Sequence, residues 1–178
     1  MAITRLGGAN AITGTIPQGN IANASLGAVT ALPAAIPTGK VLQVVMGSTG
    51  TETTNTSNDW ADTSLTVTIT PSSSSSKVYI AVSQNELYTT SANVGISVRL
   101  LRDSTSICQF ANYVSYSSAD DFNGESCNFL DSPSSTSALT YKIQFKPSGG
   151  SAMVKAQSNS GVSTITAMEI AGWLQKQY

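Results

Sequence analysis

From residue 41 onward, apolar and polar residues alternate in short runs. Leu65, Val67 and Ile69 stand against Thr66, Thr68 and Thr70, a period of two that puts one face of a strand in a core and the other in water. Alternation or β-branched enrichment of this kind also marks 41–46, 78–83, 94–101, 107–114, 126–130, 139–145, 152–156 and 164–171, each bounded by Gly, Ser, Asn, Asp or Pro clusters. A polar loop runs from the first of these strands through Trp60, and Pro71 with five serines separates 65–70 from 78–83. Arg102-Asp103-Ser104 is a short turn from which 107–114 returns antiparallel. Pro147-Ser148-Gly149-Gly150, between a Tyr141-Ile143-Phe145 face and Met153, predicts a hairpin. With no helix-length periodic segment and no solenoid repeat, residues 40–178 read as one all-β domain of about eight strands, a jelly-roll-like antiparallel β-sandwich.

Residues 1–39 have a different texture. They hold no aromatic residue, one charge at Arg5, six glycines, and prolines at 17, 33 and 37, too little apolar surface to fold alone. Isolated apolar residues nevertheless recur along this stretch: Ile3, Leu6, Ile12, Ile16, Ile21, Leu26, Val29, Leu32 and Ile36. Flexible spacers lack such pegs. The pattern predicts an extended N-terminal docking arm that offers its side chains, with Arg5, one at a time to another surface; a disordered tail is the plainer alternative.

Charge narrows the partners. Only 11% of the 178 residues are charged and the formal net charge is -1, which leaves no basic field to gather nucleic acid or an anionic membrane. Serine and threonine make up about a quarter of the chain, as hydroxyl-rich outer faces of an all-β fold require. No apolar run approaches the roughly 18 residues of a membrane span. Residues 1–6 lack the basic start and apolar core of a signal peptide, so synthesis in a cytosol is expected.

The chain contains no histidine, which excludes Ser-His-Asp and Cys-His catalysis and removes the commonest metal ligand. No cofactor is expected, and no enzyme. Asp120, Asp121, Glu125 and Asp131 are read as a loop cluster whose spacing fits no calcium loop. Glu52, Asp59 and Asp62 surround Trp60, so that loop is a candidate sugar-stacking site as well as an anchor for its own backbone. Cys108 and Cys127 are either two strand thiols or a disulfide between neighbouring strands. Trp173, Leu174 and Tyr178, after the last strand, are candidates for a subunit contact.

Thr38-Gly39-Lys40-Val41-Leu42-Gln43-Val44-Val45 after a Gly/Ala/Asn-rich arm, the opening Met1-Ala2-Ile3-Thr4, and Ser163-Thr164-Ile165-Thr166-Ala167-Met168-Glu169-Ile170-Ala171 at the end resemble the small fibre-like and capsid-decorating virion proteins of tailed bacteriophages, those of cyanobacteria and marine bacteria above all. The resemblance implies a homotrimer of jelly-roll heads on the outer surface of a virion, held by N-terminal arms. Its partner is then the major capsid protein of the shell, in a decoration or cement protein, or a tail adaptor protein, in a short tail fibre or spike touching a host-surface glycan. A fibre needs heptads or a long repeat as a shaft, and the chain has none, which favours the capsid. A free carbohydrate-binding sandwich that uses the Trp60 loop is the third reading.

Overall fold

The computed structural model describes residues 40–116 and 120–172, and in these it contains ten β-strands. They are β1 (Val41–Thr49), β2 (Thr53–Asn55), β3 (Ala61–Ile69), β4 (Lys77–Thr89), β5 (Gly95–Arg102), β6 (Thr105–Val114), β7 (Asp121–Asp131), β8 (Leu139–Ser148), β9 (Val154–Ala156) and β10 (Ser163–Ile170). The docking-arm residues 1–39 and Trp173, Leu174 and Tyr178 lie outside the described residues.

Every pairing is antiparallel. One sheet runs β1-β10-β4-β7, with the short β2 and β9 continuing the lines of β1 and β10 along the far half of β4. The other runs β3-β8-β5-β6. Two four-stranded sheets with this interleaved chain order form a double Greek key, the jelly roll. Side chains at every second position fill the space between them. Leu65, Val67 and Ile69 of β3 meet Val78, Ile80 and Val82 of β4, Ile96, Val98 and Leu100 of β5, and Tyr141, Ile143 and Phe145 of β8. Each fully buried aliphatic or aromatic side chain contributes about 1.5–3 kcal/mol.

The β5–β6 hairpin forms at Asp103, which adopts a left-handed φ of 53°. The hairpin expected at residues 147–150 does not form. The chain turns there, but β8 belongs to the second sheet and β9 to the first, so the turn is a crossover between layers. Local turn chemistry specifies a reversal of direction and is silent on which sheet receives the next strand. The supposed acidic loop is likewise a strand, 11 residues long. At about 3.3 Å per residue, β7 spreads Asp121 and Asp131 roughly 30 Å apart.

The serine run after Pro71 has a packing role beyond separating strands. Glu169, pointing inward from β10 and fully buried, accepts hydrogen bonds from the Ser72 backbone N–H (2.8 Å), Ser72 Oγ (2.6 Å), Ser76 Oγ (2.7 Å) and Gln43 Nε2 (2.6 Å). Burial alone pushes this carboxyl up, but the bonds from Ser72, Gln43 and Ser76 outweigh it and hold it down at about 2. A depressed pKa contributes stability above the ordinary value of 4.5 and loses it as pH falls toward 2. Acid melts should therefore steepen between pH 4.5 and 2. Glu169→Gln should flatten that limb by on the order of 1–2 kcal/mol, after allowance for solvent screening near the loop. Superimposable acid limbs for the two proteins would refute a stabilising role for the Glu169 carboxylate.

Candidate functional site

Two surfaces outside the core stand apart from an ordinary hydroxyl-covered sandwich. The first is the outer face of the β1-β10-β4-β7 sheet. Strand pairing aligns Val44 with Met168, Met168 with Tyr79, and Tyr79 with Leu130, one continuous apolar row across all four strands. Val44 is 56% exposed and Leu130 57%; beside the row, Met46 reaches 66%. Among the described strands β1 is the sheet edge, paired to β10 alone. In a solvated antiparallel sheet this face is expected to be polar, and contiguous exposed apolar rows mark contact surfaces.

The second surface is an open groove of about 440 Å³ on the outer face of the other sheet, lined by Trp60, Tyr113, Gln109, Asn112 and Lys146 among others. Trp60 enters β3, and its ring lies over the Arg99 guanidinium at 4.2 Å and the Lys146 ammonium at 5.1 Å. Both cations project outward from β5 and β8, where alternation sends their neighbours Val98, Leu100 and Phe145 into the core. Arg99 in turn holds Gln144 Oε1 at 2.6 and 3.0 Å, and Gln144 donates to Asp62 at 2.7 Å. Asp62 also pairs with Lys142 at 2.9 Å. The opposite wall comes from a β-bulge. Ile96 pairs with Val114 but Val98 with Ala111, so β6 carries an extra residue that presents Asn112 and Tyr113 to the groove. Tyr113 adopts a left-handed φ of 64°. Gly95 permits its approach, since a Cβ there would sit 2.4 Å from the Tyr113 Cα.

Of the residues singled out around this loop, Trp60 is in the groove wall, while the Asp62 carboxylate is engaged on the sheet and Asp59 offers its backbone carbonyl to Asn55. Glu52 reaches away to Lys155 (2.8 Å) and Ser158 (2.9 Å); the bond from Lys155, then that from Ser158, lowers its pKa. Gln109, Asn112 and Tyr113 gave no signal in the sequence beyond being polar or aromatic. Only an unpaired residue between two strand registers reveals them.

The three aspartates of 120–131 likewise have separate partners. Asp120 accepts from the Tyr88 hydroxyl and Asp121 from Asn123 (2.8 Å). Asp131 is buried in an internal network with Arg102 and Tyr141. Cys108 on β6 and Cys127 on β7 are free thiols 3.9 Å apart at the seam between the sheets. Burial, followed by the neighbouring Cys108, pushes the Cys127 thiol up to about 12, which keeps it protonated and unreactive. Among the described residues, no group of three or more Cys, Asp and Glu side chains is placed to hold a metal ion. No described helix is long and apolar enough to cross a membrane.

No family model and no curated protein matches the chain. Solved structures similar in strand layout include the infectious bursal disease virus VP2 subviral particle, at TM-score 0.43 and 10% identity over 75% of this chain. The Gx strain of the same virus gives 0.46 and 11% over 75%, and its T13 particle 0.41 and 10% over 74%. The matches span 39%, 37% and 36% of those chains, well under half their length.

Proposed function

We propose that this chain is a non-enzymatic virion structural protein of the capsid-decorating kind, a homotrimer that buries the apolar β1-β10-β4-β7 face against its own copies and is anchored to the shell by residues 1–39. The Val44-Met168-Tyr79-Leu130 row carries this reading. The occupant that fits it is a second copy of the chain. Lys77, at the end of the face, is already bonded to Ser132 Oγ at 2.7 Å, and the chain's net charge is -1, so copies meet without marked repulsion and no charge pattern selects a different partner. The jelly roll suits the role without dictating it, because capsid, lectin and cupin domains share it. Three arms on one trimer bind by multivalency, so modest contacts from Ile3, Leu6, Ile12, Ile16, Ile21, Leu26, Leu32 and Ile36 sum to a durable attachment.

Sedimentation equilibrium should give three times 18.4 kDa for the full chain, and Val44→Asp combined with Leu130→Asp should give a folded monomer. A wild-type monomer at tens of micromolar, or a charged variant that still assembles, refutes the interface. For the anchor, the chain lacking residues 2–36 should fail to decorate bare particles. Full occupancy by the shortened chain rules out the arm. Hundreds of copies per virion would favour the capsid over the alternative, a short tail fibre on a tail adaptor, which predicts about a dozen.

A further inference from the structure

The apolar face accounts for one side of the sandwich and leaves the groove on the opposite sheet without a role. Its lining is unusual for a surface kept merely soluble. Asn112 is fixed by its carbonyl, which faces Ser97 Oγ and, at 3.1 Å, Ser148 Oγ; the two hydroxyls, 2% and 7% exposed, also face each other, and their two protons serve two of these three contacts at a time. That arrangement commits the Asn112 oxygen and leaves its amide N–H groups as oriented donors. Gln109 adds an exposed amide from the same strand. Two aromatic rings, Trp60 and Tyr113, stand in the lining, and Tyr113, 49% exposed, is held there by a left-handed backbone. Non-glycine residues in that region cost about 1–3 kcal/mol and concentrate at binding sites.

The charge of the lining is one-sided. It includes Lys146 and no carboxylate; of the loop's acids, Asp62 pairs with Lys142 and accepts from Gln144, and Asp59, between the lining residues Asn58 and Trp60, is not itself part of the lining. Preplaced amides suit hydroxyls, flat rings suit the C–H face of a pyranose, and a lone ammonium suits a single anionic group. One cation is too few for a nucleic acid, which is held by neutralising many phosphates. We propose that this groove binds a saccharide carrying a carboxylate, with Lys146 on the carboxylate, Gln109 and Asn112 on hydroxyls, and Trp60 and Tyr113 against the ring. The site is independent of the assembly face, so a head packed through β1-β10-β4-β7 still presents it outward.

The test is calorimetric titration of the full chain with four sugars, sialyllactose and its neutral counterpart lactose, and tetragalacturonate and its methyl ester, and with an oligoglutamate peptide as the control. At least one acidic sugar should bind with a Kd below 1 mM and at least tenfold more tightly than its neutral counterpart. Lys146→Gln should erase that preference, Gln109→Ala should weaken binding three- to tenfold at unchanged Tm, and Asn112→Ala should weaken it by a similar factor. Trp60→Ala should abolish it; if that variant melts early, the other three decide. Binding by none of the probes, equal binding of acid and neutral forms, or indifference to Lys146→Gln overturns the proposal. An oligoglutamate peptide that binds as tightly as the acidic sugar also overturns it, since the site would then be a generic carboxylate trap.

Discussion

Replacing Asp131 with alanine is expected to cost about 3–5 kcal/mol, because it leaves a buried phenol and a part-buried guanidinium without an acceptor. Arg102 Nη1 grips both Asp131 oxygens at 2.8 and 2.7 Å, and the Tyr141 hydroxyl, in a fully buried side chain, donates to Oδ2 at 2.7 Å. Burial, and after it the bond to Asp131, raises the Tyr141 pKa, so the phenol stays a donor throughout the working pH range. The network ties β5, β7 and β8 together, crossing from one sheet to the other. The Arg102 side chain keeps 25% of its surface in water, which moves the expectation toward the lower bound, a fall in Tm of about 10 °C. Arg102→Met in the Asp131→Ala background should recover part of the loss, since it removes the stranded charge. A loss below 1 kcal/mol, or no recovery in the double variant, would mean that solvent replaces the network.

Gly47→Ala should have an effect of similar size through a different mechanism. The two sheets cross where β1 passes β3, and a Cβ on Gly47 would stand 1.9 Å from the Thr66 carbonyl oxygen and 3.0 Å from its carbon. Both are backbone atoms, so no rotamer change relieves the overlap, and β1 has to move away. Overpacking ordinarily costs 1–3 kcal/mol, and a backbone clash this close lies at or above the upper end of that range. Hydrogen exchange should show lost protection at Gln43–Thr49 while β5 and β8 keep theirs, followed by a lowered global Tm. Gly50→Ala is the control, because its nearest neighbours are at 3.5 and 3.6 Å. Equal exchange and equal Tm in the two variants would mean that the crossing yields at little cost.

The strands were legible where one face is buried. Leu65, Val67 and Ile69 are 1%, 6% and 2% exposed, as the alternation with threonine required, because a period of two is all that a half-buried strand needs. Strand limits were less legible. β4 runs to Thr89 rather than to 83 and β7 starts at Asp121 rather than at 126. In both, polar residues continue a ladder whose hydrogen bonds are made by the backbone, whatever the side chains. The three-residue β2 exists because β9 holds it, and the bulge within the expected strand β6 is set by its pairing with β5.

What could be read of the candidate surfaces divides along the same line. Trp60 was visible as an indole among polar residues, but its cations Arg99 and Lys146 come from strands 39 and 86 positions away. The apolar row was hidden for the same reason. Val44, Met168, Tyr79 and Leu130 each look like an ordinary strand residue, and only the register of three ladders brings them into line.

By itself, then, the sequence determined that the domain is a β-sandwich, that histidine chemistry is absent, and that residues 1–39 differ in kind from the rest. Those properties follow from composition and from periodicities spanning a few neighbours. Which sheet each strand joins, which side chains line the groove, and which face stays apolar were decided by tertiary structure alone. They depend on antiparallel register between segments up to 129 residues apart, as between Val41 and Ile170, and local sequence carries no record of register.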